Sequence, residues 1–216
     1  MTTVSALEDS VPDYGYSESG PTFPHAYLMP AVRAALAAAP APARLFDLGC
    51  GNGAAAAAMA ELGYSVAGVD SSRSGIAIAA ARNVGRFEVR SAYDALAEEF
   101  GLFDIVLSLE VIEHLYDPRA AVRTVAGLLA PGGVAIISTP YHGYLKNLAI
   151  SIVGGWDRHF TALWAGGHIK FWSRSTLRQL FAEAGMEEVR FARVGRVAPL
   201  AKSMVAVFRA SAGAAH

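Results

Sequence analysis

Phe46-Asp47-Leu48-Gly49-Cys50-Gly51-Asn52-Gly53 decides how this chain is read. Arg44 to Leu48, which leads into it, reads as a buried strand. Ala54 to Leu62, which follows, is a run of strong helix formers ended by Gly63. Gly49 to Gly53 is therefore a strand-to-helix turn carrying three glycines in five residues. Glycine lets the backbone turn sharply and lets a ligand lie against it. The helix beyond points unpaired N–H groups at whatever binds there. Taken alone the pattern is shared, because Gly49-x-Gly51-x-x-Ala54 also satisfies the dinucleotide fingerprint; a tight turn without a ligand is the competing reading, though three glycines are a costly way to turn a corner.

Asp70 narrows the choice. It closes the next strand, Ser65 to Val69, at the place where a carboxylate's two acceptor oxygens meet two neighbouring ribose hydroxyls. Read alone it is as well a helix cap. Farther out the rhythm continues: helix Ser74 to Asn83, strands Arg86 to Arg90 and Phe103 to Leu109, and helix Asp117 to Leu129 with Pro118 in its first turn. A Pro131-Gly132-Gly133 turn and a strand from Val134 to Ser138 follow. Upstream, a helix from Ala26 to Ala39 is stopped by Pro40 and Pro42. Strands alternating with helices predict an α/β fold whose parallel sheet is covered on both faces. A last helix, Ser175 to Ala184, precedes two strands, Glu188 to Val194 and Ser203 to Arg209, that suit an antiparallel edge. The 216 residues fit one domain over 1–216, with 1–20 as a flexible arm and 140–172 as an irregular insert after strand five.

Composition excludes several function classes. A net charge of −1 with no basic stripe argues against nucleic acid as partner. Arg174, Arg178, Arg190, Arg193, Arg196 and Lys202 are interleaved with Glu183, Glu187 and Glu188 and read as a mixed, solvated face. A single cysteine, Cys50, rules out an intrachain disulfide and a zinc cluster. The start lacks the basic and apolar regions of a signal peptide, and no apolar run has the length of a membrane span. A cytoplasmic location is the simplest expectation.

Four stretches, LFDLGCGNG (45–53), VAGVD (66–70), FDIVLSLEVIEHLYDP (103–118) and LLAPGGVAIISTP (128–140), resemble the motifs of class I S-adenosylmethionine-dependent methyltransferases in order and spacing. The step Glu110-x-x-Glu113-His114 is similar to that of the ubiquinone-pathway O-methyltransferase type. The resemblance implies a Rossmann-like, doubly wound, seven-stranded sheet, mostly parallel with an antiparallel last strand, and S-adenosyl-L-methionine as cofactor with S-adenosyl-L-homocysteine (SAH) as product. It gives Gly49 and Gly51 backbone contact to the cofactor, Asp47 an indirect hold on the methionine amine, and Asp70 the ribose. The full cofactor set expected on this basis is Tyr16, Asp47, Gly49, Cys50, Gly51, Asp70, Ser71, Ala92, Tyr93, Ser108 and Glu110. Relatives often carry Asp on the adenine side after strand three. Here Ala92 stands there, followed by Tyr93, which can supply stacking area instead.

The chemistry asks for little. A sulfonium is already a good electrophile, so the protein must align a nucleophile with the methyl group and remove a proton from a hydroxyl. His114 and His168 are the candidate bases, His168 from the GGHIKFWS stretch. The same resemblance makes Glu110, Glu113 and His114 candidate ligands for a divalent metal. Packing beside the cofactor is the third reading of His114. The insert holds all three tryptophans, and its apolar piece from Leu145 to Val153 suits a substrate lid, a homodimer face or a membrane-surface patch. Tyr14, Tyr16 and His25 are placed to fold over the cofactor. The expected acceptor is an oxygen, less readily a nitrogen, of a small molecule. A nicotinamide-dependent oxidoreductase and a non-catalytic cofactor-binding scaffold are the competing classes.

Overall fold

The computed structural model describes residues 13–18, 20, 25–37, 39–160, 162–164 and 166–210. Most of the expected flexible arm, and the side chain of His25, lie outside the described residues.

The described strands form a seven-stranded sheet in the order β3-β2-β1-β4-β5-β7-β6. They are β1 (Arg44–Leu48), β2 (Ser65–Asp70), β3 (Gly85–Val89), β4 (Phe103–Leu109), β5 (Leu129–Pro140), β6 (Met186–Val194) and β7 (Ser203–Ala210). The first five pair in parallel, and β7 runs antiparallel to both β5 and β6. The expected Rossmann-like, doubly wound sheet with an antiparallel last strand is what forms. Alternation along the strands sorts the core onto two faces. On one, Phe46, Val106, Ala135 and Phe208 pack with α4 (Leu96–Phe100), α5 (Pro118–Leu128) and α8 (Arg174–Glu183). On the other, Leu45, Ile105, Ile136 and Val207 meet α1 (His25–Leu36), α2 (Ala54–Ala60) and α3 (Arg73–Ala81).

Four expectations are corrected. The helix expected to reach Ala39 ends at Leu36. Asp117 is not a helical residue but the cap of α5, its carboxylate accepting from the Ala120 N–H at 3.0 Å. Pro131-Gly132-Gly133 is not a turn before β5 but a part of it. Leu129 pairs with Phe103 and Val134 with Ile105, so the intervening residues form a bulge. A Cβ on Gly133 would sit 2.9 Å from the Ala130 carbonyl oxygen, so only glycine fits that bulge. Finally, α4 fills the link between β3 and β4, where no helix was expected.

The order reverses direction between β1 and β4, which leaves a crevice past their carboxyl ends. The insert leaves β5 on that same side, as α6 (Tyr144–Ile152) and α7 (Trp156–Phe160). Its base is stitched shut: the Tyr141 N–H donates to the Lys202 carbonyl at 2.9 Å and the His142 N–H to the Trp172 carbonyl at 3.1 Å.

Candidate active site

The glycine turn is anchored to the end of β2. The N–H groups of Gly49 and Cys50 both donate to the Val69 carbonyl, at 2.8 and 3.0 Å. Gly49 and Gly51 sit at φ +82° and +52°, the left-handed region that favours glycine. Asp70 receives the Gly51 N–H on one carboxylate oxygen and the Ser72 N–H on the other, each at 2.8 Å. Each oxygen keeps further lone-pair capacity on the cavity side, as a ribose diol requires. Burial pushes the Asp70 carboxyl up, against the pull of these two N–H donors.

Asp47 sits directly beneath the turn, 2% exposed, and its Oδ2 is buried without a hydrogen-bond partner among the described residues. Burial, and then the charge of Asp70, raise its pKa to about 7. A buried carboxylate without a donor is costly, and a cation placed there relieves it.

The described part of the arm lies across this turn. The Asp13 carboxylate accepts from Ser72 Oγ and, at 3.0 Å, from the Ser74 N–H at the start of α3. The Tyr16 N–H donates to Ser74 Oγ at 3.0 Å. Asn52, 3% exposed, donates its amide to the Glu18 and Gly20 carbonyls. Tyr14 stacks on Tyr16 at 5.3 Å between centroids and meets His114 and Trp164 edge-on.

The step after β4 is conformationally special. Glu110 has φ +56°, uncommon for a side chain of its size. Its N–H donates to Ser138, and its carboxylate accepts from Ser138 Oγ at 2.9 Å and Ser203 Oγ at 3.2 Å. Burial raises its pKa to about 7. Glu113 is buried, accepts from Thr139 Oγ1 at 2.9 Å, and leaves Oε1 without a partner among the described residues. Its backbone carbonyl accepts from both Ile169 and Lys170 at 2.9 Å, which draws the end of the insert onto the β4 loop. His168 thereby comes to 4.9 Å from His114, ring centroid to ring centroid. His114 Nδ1 lies 3.3 Å from the Gly167 carbonyl. That contact requires an Nδ1–H, and a neutral ring then carries its lone pair on Nε2. Burial lowers the pKa of His114 and takes that of His168 down to about 4.

The expected metal set is altered by this geometry. The described residues whose ligand atoms fall within 4.8 Å of one another are Glu113, His114 and His168. Glu110 is drawn away from that set by Ser138 and Ser203.

Two cavities share one wall. The larger, about 480 Å³, runs from Asp47, Gly49, Cys50 and Gly51 to His142, Lys146, His159, Phe160, Trp164 and His168. The smaller, about 320 Å³, is lined by Asp70, Ser71, Ala92, Tyr93 and Tyr116. Tyr14, Tyr16, Gly49, Leu109, Glu110 and His114 line both. Of the expected residues, Ser108 and Glu113 line neither; Ser108 is buried within β4 and Glu113 is buried just past it. Tyr93 reaches the smaller cavity with its hydroxyl accepting the Asp117 N–H at 3.2 Å. Asn52, Tyr27, Lys146, Arg196 and Lys202 were not anticipated at the site. Arg196 and Lys202 were read with a solvated face; both line the larger cavity, where Arg196 stays exposed and Lys202 is half-buried. Arg174, Arg178, Arg190 and Arg193 are exposed, as expected of that mixed face, and Arg174 pairs with Glu188, its Nη2 lying 2.5 Å from the carboxylate.

Comparison with known proteins agrees with this geometry. A family model described as a methyltransferase domain matches residues 23–190. The ubiquinone biosynthesis O-methyltransferase of Caulobacter sp. (strain K31) is 42% identical over 116 residues, covering 51% of this chain and 46% of that protein. Its counterpart in Ruegeria pomeroyi is 36% identical over 155 residues, covering 68% of this chain and 60% of that one. The chain thus spans about half the length of the curated relatives it matches. Magnesium protoporphyrin IX methyltransferase from Synechocystis PCC 6803, solved with bound SAH, superposes with a TM-score of 0.65 at 19% identity, covering 85% of this chain and 82% of that one.

Proposed function

The chain belongs to the class I S-adenosylmethionine-dependent methyltransferase family, and from that premise we propose that it transfers a methyl group to an oxygen of a small-molecule acceptor. Membership removes the nicotinamide reading of the glycine turn. The residues fit the family's cofactor. The orphaned Oδ2 of Asp47 suits the methionine ammonium, and the free lone pairs of Asp70 suit the ribose. Ala92 and Tyr93 border the adenine side. When bound, the cofactor supplies an electrophilic methyl on a sulfonium whose leaving group departs neutral.

The observation that carries the proposal is the shared wall of the two cavities, with His114 in it. A nucleoside held against Asp70 directs the methionine end towards Asp47, so the junction is where acceptor and methyl meet. His114 faces that junction with Nε2 unprotonated and takes the hydroxyl proton as the acceptor oxygen attacks. Burial keeps its ring neutral at pH 7. His168 supports it from the acceptor side, and residues 140–172 act as the lid that excludes water. The oxygen preference over nitrogen rests on this base, since a neutral amine needs none to attack.

A second reading is favoured by Glu113, whose free Oε1 joins His114 and His168 in a mixed oxygen and nitrogen set. These three side chains would hold a divalent ion that orients the acceptor hydroxyl and lowers its pKa. Dialysis against EDTA decides between the two: unchanged turnover keeps His114 as base, and loss restored by a divalent salt selects the metal.

The test of the cofactor assignment is calorimetric titration with SAH of wild type and Asp70→Ala. The expected outcome is micromolar binding weakened about tenfold or more, the scale of one lost charge-assisted hydrogen bond. A well-folded wild type that binds no SAH sinks the proposal.

A further inference from the structure

The acceptor half of the larger cavity is built from cations. Lys146 comes from α6, Arg196 from the β6–β7 connection, and Lys202 from just before β7, and all three line it. Lys146 is 9% exposed, although lysine is rarely buried without a partner. Its Nζ donates to the Tyr141 carbonyl at 2.8 Å and the Lys202 carbonyl at 3.3 Å, so two of its three N–H groups are used and one remains. Among the described residues neither Lys146 nor Arg196 forms an ion pair; those that occur use Arg86, Arg90, Arg119 and Arg174. Lys202 Nζ lies over the Tyr27 ring, 5.2 Å from its centroid.

Of the facing acids, Glu110 offsets part of the charge of Lys146, its two carboxylate oxygens being held by serine hydroxyls rather than by the cations, and Asp47 lies at the cofactor end. The positive field is felt by neighbours as well: after burial, Lys146 is the next cause lowering His142 to about 4, and Arg196 acts likewise on Lys146. A lysine that forms no ion pair among the described residues costs stability in a part-buried cavity, and a solvated surface role does not explain one as enclosed as Lys146. Beside them stand flat faces. Phe160 stacks on Trp156 at 4.7 Å and lies 5.9 Å from His142 at an interplanar angle of 20°.

We propose that the acceptor is an aromatic hydroxy compound bearing an oxyanion, carboxylate or phosphate, which Arg196 and the remaining N–H of Lys146 receive, with the ring among the aromatic side chains Tyr27, Phe160 and Trp164 that line the cavity and the reacting hydroxyl turned towards His114. This rests on the methyl-transfer reading and narrows its substrate class. A guanidinium fork matches either anion in two-point contact, and the ammonium adds a point charge. The alternative owner of these cations is the carboxylate of the cofactor's own methionine, and the experiment separates the two.

The SAH-saturated protein is titrated with 4-hydroxyphenylacetate, with 4-hydroxybenzylphosphonate and with the uncharged isostere 4-hydroxyphenylacetamide. At least one anion is expected to bind about tenfold or more tightly than the amide, the worth of one desolvated charge-assisted contact. The tighter of the two names the oxyanion. Arg196→Gln and Lys146→Met should each cut that preference several-fold while SAH affinity stays within about twofold. Arg196 is exposed, so its variant tests the idea even if burial makes Lys146→Met unstable. Equal binding of acid and amide overturns the proposal, as does no binding of any of the three, or a preference that survives in Arg196→Gln. SAH affinity that falls in step with the variants overturns it too, by assigning the cations to the cofactor. A wild type that binds no SAH removes the methyl-transfer reading and this one with it; SAH binding without an anion preference removes this one alone.

Discussion

Asp47→Asn separates the cost of the cofactor site from its use. In wild type the carboxyl is buried, its Oδ2 has no donor, and its pKa moves from the ordinary 3.8 to about 7. An acid shifted upward burdens the fold once it ionises. The penalty is absent below about 3.8, grows as pH rises, and is complete above about 7. At about 1.4 kcal/mol per pH unit, the gap between those two values is roughly 4 kcal/mol at pH 8, and about 1.5 kcal/mol at pH 5. Asparagine keeps the shape and never ionises. The SAH-free variant should therefore unfold later than wild type at pH 8. One kcal/mol moves Tm by about 2–4 °C in a domain of this size, so even half of the full effect gives roughly 4 °C or more. Thermal denaturation followed by circular dichroism at pH 8 and pH 5 measures it, and the gain should shrink by more than half at the lower pH. Adding SAH narrows the gap: at a hundred times Kd a ligand stabilises wild type by about 2.7 kcal/mol, and the variant, lacking the charge that faces the ammonium, responds far less. A variant no more stable than wild type at pH 8, or a gain of equal size at pH 5, would refute the argument that ionisation of Asp47 is what the fold bears.

Three further outcomes follow from the geometry. Gly51→Ala and Gly53→Ala both place a side chain at positive φ, costing about 1–2 kcal/mol each; only the former drives its Cβ to 2.5 Å from the Tyr16 hydroxyl, so SAH affinity measured by calorimetry should drop in Gly51→Ala and hold in Gly53→Ala, whose Cβ meets Ala79 instead. His114→Gln should lower kcat about 100-fold, the lower range for a general base, and more than His168→Gln, with SAH affinity unchanged; equal small effects in steady-state assays would return His114 to a packing role. Phe181, fully buried and stacked on Phe208 at 3.9 Å and 7°, should cost about 3–5 kcal/mol as Phe181→Ala in urea denaturation, and a loss under 1 kcal/mol would mean that the α8 face is not part of the cooperative core.

The β1–turn–α2 unit and Asp70 were legible because each is a local pattern: apolar strand, glycines, helix formers, then an acid at the next strand end. The two faces of the sheet followed from alternation. What escaped was short or long-range. Leu96–Phe100 is five residues, too few to display a helical period. Pro131-Gly132-Gly133 has turn chemistry, and only the pairing of Leu129 with Phe103 turns it into a bulge. His168 meets His114 because the Glu113 carbonyl captures two N–H groups 56 and 57 residues away, a bond no spacing rule announces. Arg196 and Lys202 sit near glutamates in the sequence, but the hairpin between β6 and β7 carries them to the opposite end of the strands from Glu187 and Glu188. The pairing that decides charge compensation is spatial, and composition averages it away.

The stitched base of the insert has an evolutionary corollary. Tyr141 and His142 on one side, and Ile169, Lys170 and Trp172 on the other, are held by main-chain hydrogen bonds to Lys202, Glu113 and each other, with Lys146 Nζ adding one to the Tyr141 carbonyl. Backbone bonds do not ask which side chains the loop carries. Apart from Lys146 and the Gly167 carbonyl, which also tie to the frame, residues 143–167 can therefore drift in composition while β5 keeps its register on β7 and the glycine turn keeps its anchor on Val69. Selection on what the enzyme methylates can proceed there without renegotiating what it methylates with.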